Sequence, residues 1–303
     1  MRLVVLILTT VLMSGCSGLF LYPDRYNYFP DVFKYVELSE GNIPTTSGAK
    51  LHYWMIPAQH NKQVDKVQKG LVVQIHGNGQ NLTSHVRGLG WITEAGYALA
   101  AFDYRGYGQS NGEAALKNAY ADVATALDYF SQLADKSNLP IIFYGQSLGG
   151  TLLLKTFSSH PGRWKPKAIV VEGSFYSYSG IAREKLASRW YSWPLQWLAY
   201  LLITDKYSLE KSELQSISPT PVYMFYSEKD PIVPVHHGQK IFANLPDANK
   251  QFFSYPEFGH INSMWVQEGR FRKVLLDLLD KTSTHPNKKI DNQGRCKDQN
   301  LDP

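Results

Sequence analysis

Six short apolar runs, each ending in small or polar residues, alternate with stretches of helical period. That alternation constrains the fold more than any other feature of the chain. The runs are GLVVQIHG (70–77), YALAAFDYRG (97–106), IIFYGQS (141–147), AIVVEGS (168–174), PVYMFYSEKD (221–230) and KQFFSYPEFGH (250–260). Helical spacing fills 82–94, 114–133, 148–158, 234–244 and 264–279. Strands alternating with helices predict an α/β fold, with a mostly parallel central sheet covered on both faces. In such sheets functional groups gather at the carboxyl ends of the strands. Upstream, KYVELSE and KLHYWMIPA alternate apolar and polar residues, as half-buried antiparallel strands do. Between 175 and 219 the strand rhythm stops. SRWYSWPLQWLAYLLI, with three Trp and two Tyr, reads as part of a helical insertion, a small cap over 175–219.

The third apolar run leads into Gly145-Gln146-Ser147-Leu148-Gly149 and then directly into a helix. Gly-x-Ser-x-Gly alone is weak, since an idle Ser in a Gly-rich turn has the same spelling. The strand before it and the helix after it make Ser147 a candidate nucleophile on a sharp strand-to-helix turn. Acyl transfer by a Ser also needs a base, an acid to orient the base, and donors for the developing oxyanion. His260 ends the last apolar run and is the candidate base. Asp230 ends the run before it and is the candidate acid, with Glu228 and Glu172 as weaker alternatives. The order Ser147, Asp230, His260 suits such a fold. The N–H of Leu148 and that of Asn78, in HGNGQN, are the candidate oxyanion donors, with Gly79 as alternative to Asn78. His76 reads as a structural loop residue. His52, His60, His85, His160, His236 and His237 have no comparable context. No cofactor or metal is expected, because the chain has no His-Glu-x-x-His, no paired Cys and no Walker loop.

HGNG, DYRGYGQSNG, GQSLGG, EKDPIVP and FGH together resemble the α/β-hydrolase superfamily over about residues 50–280. The stretch 103–112 is similar to the branch holding eukaryotic membrane-associated serine hydrolases and their bacterial relatives. The resemblance implies an α/β-hydrolase fold and a Ser–His–Asp triad. Its members include esterases, lipases, thioesterases, peptidases and catalytically silent proteins, so it leaves the substrate open. Asp103 and Arg105 read as loop anchors. The expected function is hydrolysis of esters or thioesters of acyl substrates through an acyl-enzyme. A serine peptidase, or a non-catalytic envelope binding protein, is the alternative.

The N-terminus carries one Arg, an apolar stretch over 3–13 and small residues, the proportions of a secretory signal. Met13-Ser14-Gly15-Cys16 resembles a bacterial lipobox, which makes 1–15 a lipoprotein signal peptide and Cys16 the lipidated residue. The two cysteines, Cys16 and Cys296, leave no internal disulfide to make once Cys16 is acylated. A lipid-anchored protein of the bacterial cell envelope follows. Ser17, rather than Asp, after the Cys favours the outer membrane if the source is Gram-negative. Residues 16–32 are then a tether that packs on the domain edge, 33–281 the hydrolase domain, and 282–303 a polar, disordered tail. The net charge of +5 is spread along the chain, so nucleic acid is not an expected partner. The expected partners are a small acyl-ester or lipid substrate and the membrane, through the lipid anchor.

Overall fold

The computed structural model describes residues 20–28, 37–59, 68–247 and 249–281. The expected signal peptide, Cys16, Cys296 and the polar tail lie outside the described residues, as does part of the expected tether.

The strands are β1 (Ser39–Pro44), β2 (Lys50–Ile56), β3 (Gly70–Ile75), β4 (Tyr97–Phe102), β5 (Ile141–Gln146), β6 (Ala168–Glu172), β7 (Val222–Lys229) and β8 (Lys250–Phe258). They form one eight-stranded sheet in the order β1-β2-β4-β3-β5-β6-β7-β8. β1, β2 and β4 pair antiparallel, and every pair from β4 to β8 is parallel. The helices are α1 (Leu82–Leu89), α2 (Trp91–Glu94), α3 (Leu116–Lys136), α4 (Leu148–Ser158), α5 (Tyr178–Ala187), α6 (Leu198–Leu202), α7 (Lys211–Leu214), α8 (Val235–Asn244) and α9 (Arg270–Lys281). This is the α/β-hydrolase architecture.

The central strands are apolar throughout because both faces are covered. Leu71, Val73 and Ile75 of β3 join one core layer, with residues of α3, α4 and α8. Val72 joins the other, with α1 and α9. Period-two alternation therefore sorts one continuous run between two cores. Two expectations shift in register. Among the described residues the first strand is Ser39–Pro44, which takes in only the last two residues of KYVELSE, whose first three lie outside the described residues, and the last helix begins at Arg270, not at 264. SEGNIP is a polar edge strand held by backbone bonds to β2, from Ser39 opposite Met55 to Pro44 opposite Lys50. A chain reversal with positive φ at Gln267, Glu268 and Gly269 delays the helix. Among the described residues, no helix is long and apolar enough to cross a membrane.

The cap region holds α5, a short 3₁₀ turn (Trp193–Leu195), α6 and α7. Residues 20–28, expected as part of a tether, run across the carboxyl end of the sheet. Leu21 is buried in the core. Asp24 O accepts from Gly108 N (2.8 Å) and Asn81 Nδ2 (3.1 Å), and Tyr28 N donates to Thr83 Oγ1 (3.0 Å).

The junction of β5 and α4 is tightly packed. A methyl group on Gly149 would stand 2.1 Å from Ile75 O and 2.3 Å from His76 O. Both are backbone atoms at the end of β3, so the helix can approach only without a side chain. Gly149→Ala is expected to cost about 3 kcal/mol, read as a lower midpoint in urea unfolding.

Candidate active site

Ser147 sits between β5 and α4 with φ 51° and ψ −120°. A non-Gly residue there is strained and is held only where its surroundings over-determine it. Its N–H donates to Glu172 O (2.8 Å), and its own carbonyl accepts Gly150 N (3.1 Å). The strand on one side and the turn of α4 on the other therefore fix the side chain at the carboxyl end of the sheet.

Asp230 immediately follows β7, and His260 lies two residues after β8. His260 Nδ1 lies 2.6 Å from Asp230 Oδ2. The other carboxylate oxygen accepts Ile232 N (2.7 Å) and Val233 N (2.9 Å). The Asp230 side chain is 1% exposed and that of His260 12%. With Nδ1 donating its proton to Asp230, Nε2 is the basic nitrogen that remains. The His260 ring packs on Gly173, where a methyl group would come within 3.1 Å of Cε1. Gly173 follows Glu172, which holds the Ser147 N–H, so Ser147 and His260 flank one turn.

The loop after β3 passes the same point. A methyl on Gly77 would lie 3.3 Å from Ser147 Cβ. The Asn78 amide oxygen accepts from Tyr22 N (2.8 Å), Gly79 N (2.8 Å) and Tyr107 Oη (2.9 Å). Those bonds lock the side chain and commit the Gly79 N–H. This favours the Asn78 main-chain N–H over that of Gly79 as the candidate oxyanion donor. Leu148 opens α4, where the first N–H groups have no intrahelical partner and carry the positive end of the helix dipole.

The loop histidines support this arrangement. His76 is fully buried, with Nδ1 2.7 Å from Gly77 O and Nε2 3.4 Å from Asp103 Oδ1. His85 stacks on it, and burial lowers its pKa to about 3, so it is neutral. Asp103 also caps α1 by accepting Leu82 N (2.7 Å), and Arg105 pairs with buried Asp122 (Nε–Oδ1 2.6 Å). Both act as anchors of the 103–112 loop.

Neither alternative acid fits. Glu228 is exposed and accepts from Ser254 Oγ (2.8 Å). Glu172 is 1% exposed, and its carboxylate has four donors. Tyr144 Oη and Gln146 Nε2 each reach Oε2 at 2.9 Å, while Ser263 N (2.8 Å) and Oγ (2.5 Å) reach Oε1. It joins β5, β6 and the loop that carries His260. Nothing in the sequence marks this role, which depends on donors 26 to 91 residues away.

Beside Ser147 opens a cleft of about 310 Å³. Asn78 and Leu148 line it at one end, and Phe175, Ile181, Ile232 and Val233 supply apolar wall. Phe20 and Tyr22, from the N-terminal segment, complete it. Their aromatic character was visible in the sequence, but their destination was not. Ile232 and Val233 could have been picked out as the apolar residues directly after the candidate acid.

Glu184, His236 and His237 bring possible ligand atoms within 4.8 Å of one another. Tyr176 N–H, however, donates to His237 Nδ1 (3.3 Å), which leaves the ring proton on Nε2, facing Glu184 Oε2 at 3.2 Å. Burial lowers the pKa of His237, so it is this neutral form that prevails. The trio is a hydrogen-bonded clamp between α5 and α8, not a set of free lone pairs.

With this geometry established, comparison with known proteins places the chain. A family model described as serine aminopeptidase S33, of the hydrolase class, matches residues 66–218, just over half of the chain. The chain belongs to this family of α/β hydrolases. It is 28% identical over 270 residues to the uncharacterized protein YfhR of Salmonella typhimurium, covering 86% of each chain. It is 24% identical to protein bem46 of Schizosaccharomyces pombe, over 80% of this chain and 81% of that one. Among solved structures it superposes on the esterase Pf2001 of Pyrococcus furiosus with a TM-score of 0.68. That match has 17% identity and covers 86% of this chain and 98% of the other, a likeness of fold.

Replacing Glu172 by Leu leaves four buried donors without an acceptor. Glu172→Leu is expected to lower stability by about 3 kcal/mol or more, measured by urea unfolding.

Proposed function

We propose that the chain is a serine hydrolase that cleaves esters or thioesters of apolar carboxylic acids through an acyl-enzyme. Ser147 is the nucleophile, His260 the general base, Asp230 the residue that orients and stabilises it, and the N–H groups of Asn78 and Leu148 the oxyanion donors. Ser147 Oγ attacks the carbonyl carbon while its proton passes to His260 Nε2. The tetrahedral oxyanion is held by the two N–H groups, and His260 returns the proton to the departing alcohol or thiol. Water then enters by the same route in reverse, and the acid leaves. The observation that carries this reading is the strained Ser147 turn beside a His260 whose Nδ1 is committed to buried Asp230.

The cleft favours an apolar acyl group. Its walls are mostly apolar, and the charged side chain lining it is that of Lys185, a cation. An aminopeptidase must hold a substrate ammonium with an acceptor. Glu172, the carboxylate beneath the site, is buried with its oxygens fully engaged and cannot serve as that acceptor. A panel of aminoacyl arylamides separates the two activities. As part of the same reading, the chain is exported, acylated at Cys16 and carried on a membrane of the bacterial cell envelope.

Wild-type protein is expected to hydrolyse p-nitrophenyl butyrate and to label with a fluorophosphonate. Ser147→Ala should abolish labelling and lower kcat by about 10⁴-fold or more. Full activity in that variant overturns the assignment. Ile181→Trp fills the cleft and should lower kcat/KM for octanoate about tenfold more than for butyrate, as measured with a series of p-nitrophenyl esters.

A further inference from the structure

The cap exposes an aromatic surface that the proposed chemistry does not use. Trp190 is 88% exposed and Leu201 71%, and Trp193, Trp197 and Tyr200 are each more than half exposed. All lie within twelve residues. Trp193, Trp197 and Tyr200 wall one groove, and contiguous exposed apolar patches mark interaction sites. The residues are not random in type either. Trp and Tyr present an apolar body and a polar edge, the property that concentrates them at membrane–water interfaces.

Cations accompany these aromatics: Arg183 lines a groove among them, and Arg189 Nη1 bonds Tyr191 Oη (3.0 Å). The acids of the same stretch are occupied. Glu184 is bonded to His236 and His237, and Asp205 accepts from the hydroxyls of Ser177, Ser179 and Ser208. Arg183 reaches into a groove of about 350 Å³ walled by Trp193, Trp197 and Tyr200. Its Nη1 bonds Gln196 Oε1 (3.3 Å), while its Nε is buried without a hydrogen-bond partner among the described residues. A guanidinium between aromatic walls suits the phosphate of a lipid headgroup.

The course of the chain selects the occupant. Phe20 packs on the cap, its ring 5.0 Å from that of Tyr178 and 6.5 Å from that of Phe175. Phe20 lies four residue steps from Cys16, a reach of at most about 14 Å. An uncleaved apolar stretch ending at Met13 would still be within about 25 Å. With either attachment, the membrane would lie next to the cap. α5 divides the two features, with Ile181, Ala182 and Lys185 on the ester cleft and Arg183 on the aromatic groove.

We propose that this face of the cap docks on an anionic phospholipid bilayer and holds the mouth of the Ser147 cleft at the headgroup level, so that the acyl substrate enters from the membrane. The substrate part of the proposal rests on the ester-hydrolase reading; the docking part rests on the membrane attachment proposed above and not on the chemistry. A second copy seated on the same face would hold the cleft away from the bilayer to which the chain is tied, and it is the competing outcome.

The test uses the full-length protein reconstituted into vesicles of phosphatidylglycerol and phosphatidylcholine, the latter brominated near the top of its acyl chains. Tryptophan emission should fall strongly relative to unbrominated vesicles. In the combined variant Trp190→Ser, Trp193→Ser, Trp197→Ser most of that quenching should disappear, with a cooperative thermal transition retained as the check on folding. Turnover of a vesicle-borne long-chain ester should drop at least tenfold in the variant. Absence of quenching in the wild-type protein overturns the docking face by itself, whether or not the variant folds. So does equal quenching in the two proteins, or a change of oligomeric state in detergent caused by the substitutions. If p-nitrophenyl butyrate is not hydrolysed by the wild type, the ester-hydrolase reading fails, and the quenching result still decides the docking face.

Discussion

The geometry of the candidate site depends on one buried carboxylate. Glu172 ends β6 between the strand that leads to Ser147 and the loop that carries His260. A charge at 1% exposure is costly to bury unless its hydrogen bonds are complete. Here the donors come from Tyr144 and Gln146 on β5 and from Ser263 beyond His260. Its backbone carbonyl meanwhile accepts the N–H of Ser147 itself. One residue thus fixes the height of the Ser147 turn by its main chain and the placement of the His260 loop by its side chain. Gln146 passes the constraint on, because its Oε1 accepts from Gln74 Nε2 (2.7 Å), which also reaches His85 O (2.9 Å) on α1. The polar layer under the cleft is continuous from β6 to α1.

Much of this could be read from the sequence, for reasons that differ by element. β3 through β7 were visible because strands buried on both faces read as apolar runs, and the edge strand β8 by its aromatics, Phe252, Phe253 and Tyr255. Ser147, Asp230 and His260 stood at the ends of three of them, where a parallel sheet gathers its functional groups. β1 runs on beyond KYVELSE to Pro44 because an edge strand is specified by backbone pairing with β2, and SEGNIP has no apolar signature to find. The last helix starts late because the positive-φ turn at 267–269 has local geometry that helical spacing does not report. Glu172 was unreadable for a deeper reason. A buried carboxylate is defined by its donors, and those are scattered along the chain.

The N-terminal segment was the other element beyond the reach of pattern. Its aromatics and prolines are consistent with a linker, since no periodicity distinguishes a strap that packs from one that hangs free. What decides the matter is tertiary: the Asn78 side chain accepts Tyr22 N–H, Asn81 Nδ2 holds Asp24 O and Tyr26 O, and Leu21 is buried in the main core. The residue whose N–H is the candidate oxyanion donor is thus also the one that fastens the strap.

That strap makes the protein's architecture discontinuous in sequence and continuous in space. Phe20 and Tyr22 are a wall of the cleft, although the sheet does not begin until Ser39. A chain shortened to start at β1 would keep every strand, the Ser147 turn and the Asp230–His260 pair, yet its cleft would stand open on one side. The segment from Phe20 to Tyr28 is therefore part of the site itself: the cavity is whole only when that segment has been laid across the end of the sheet.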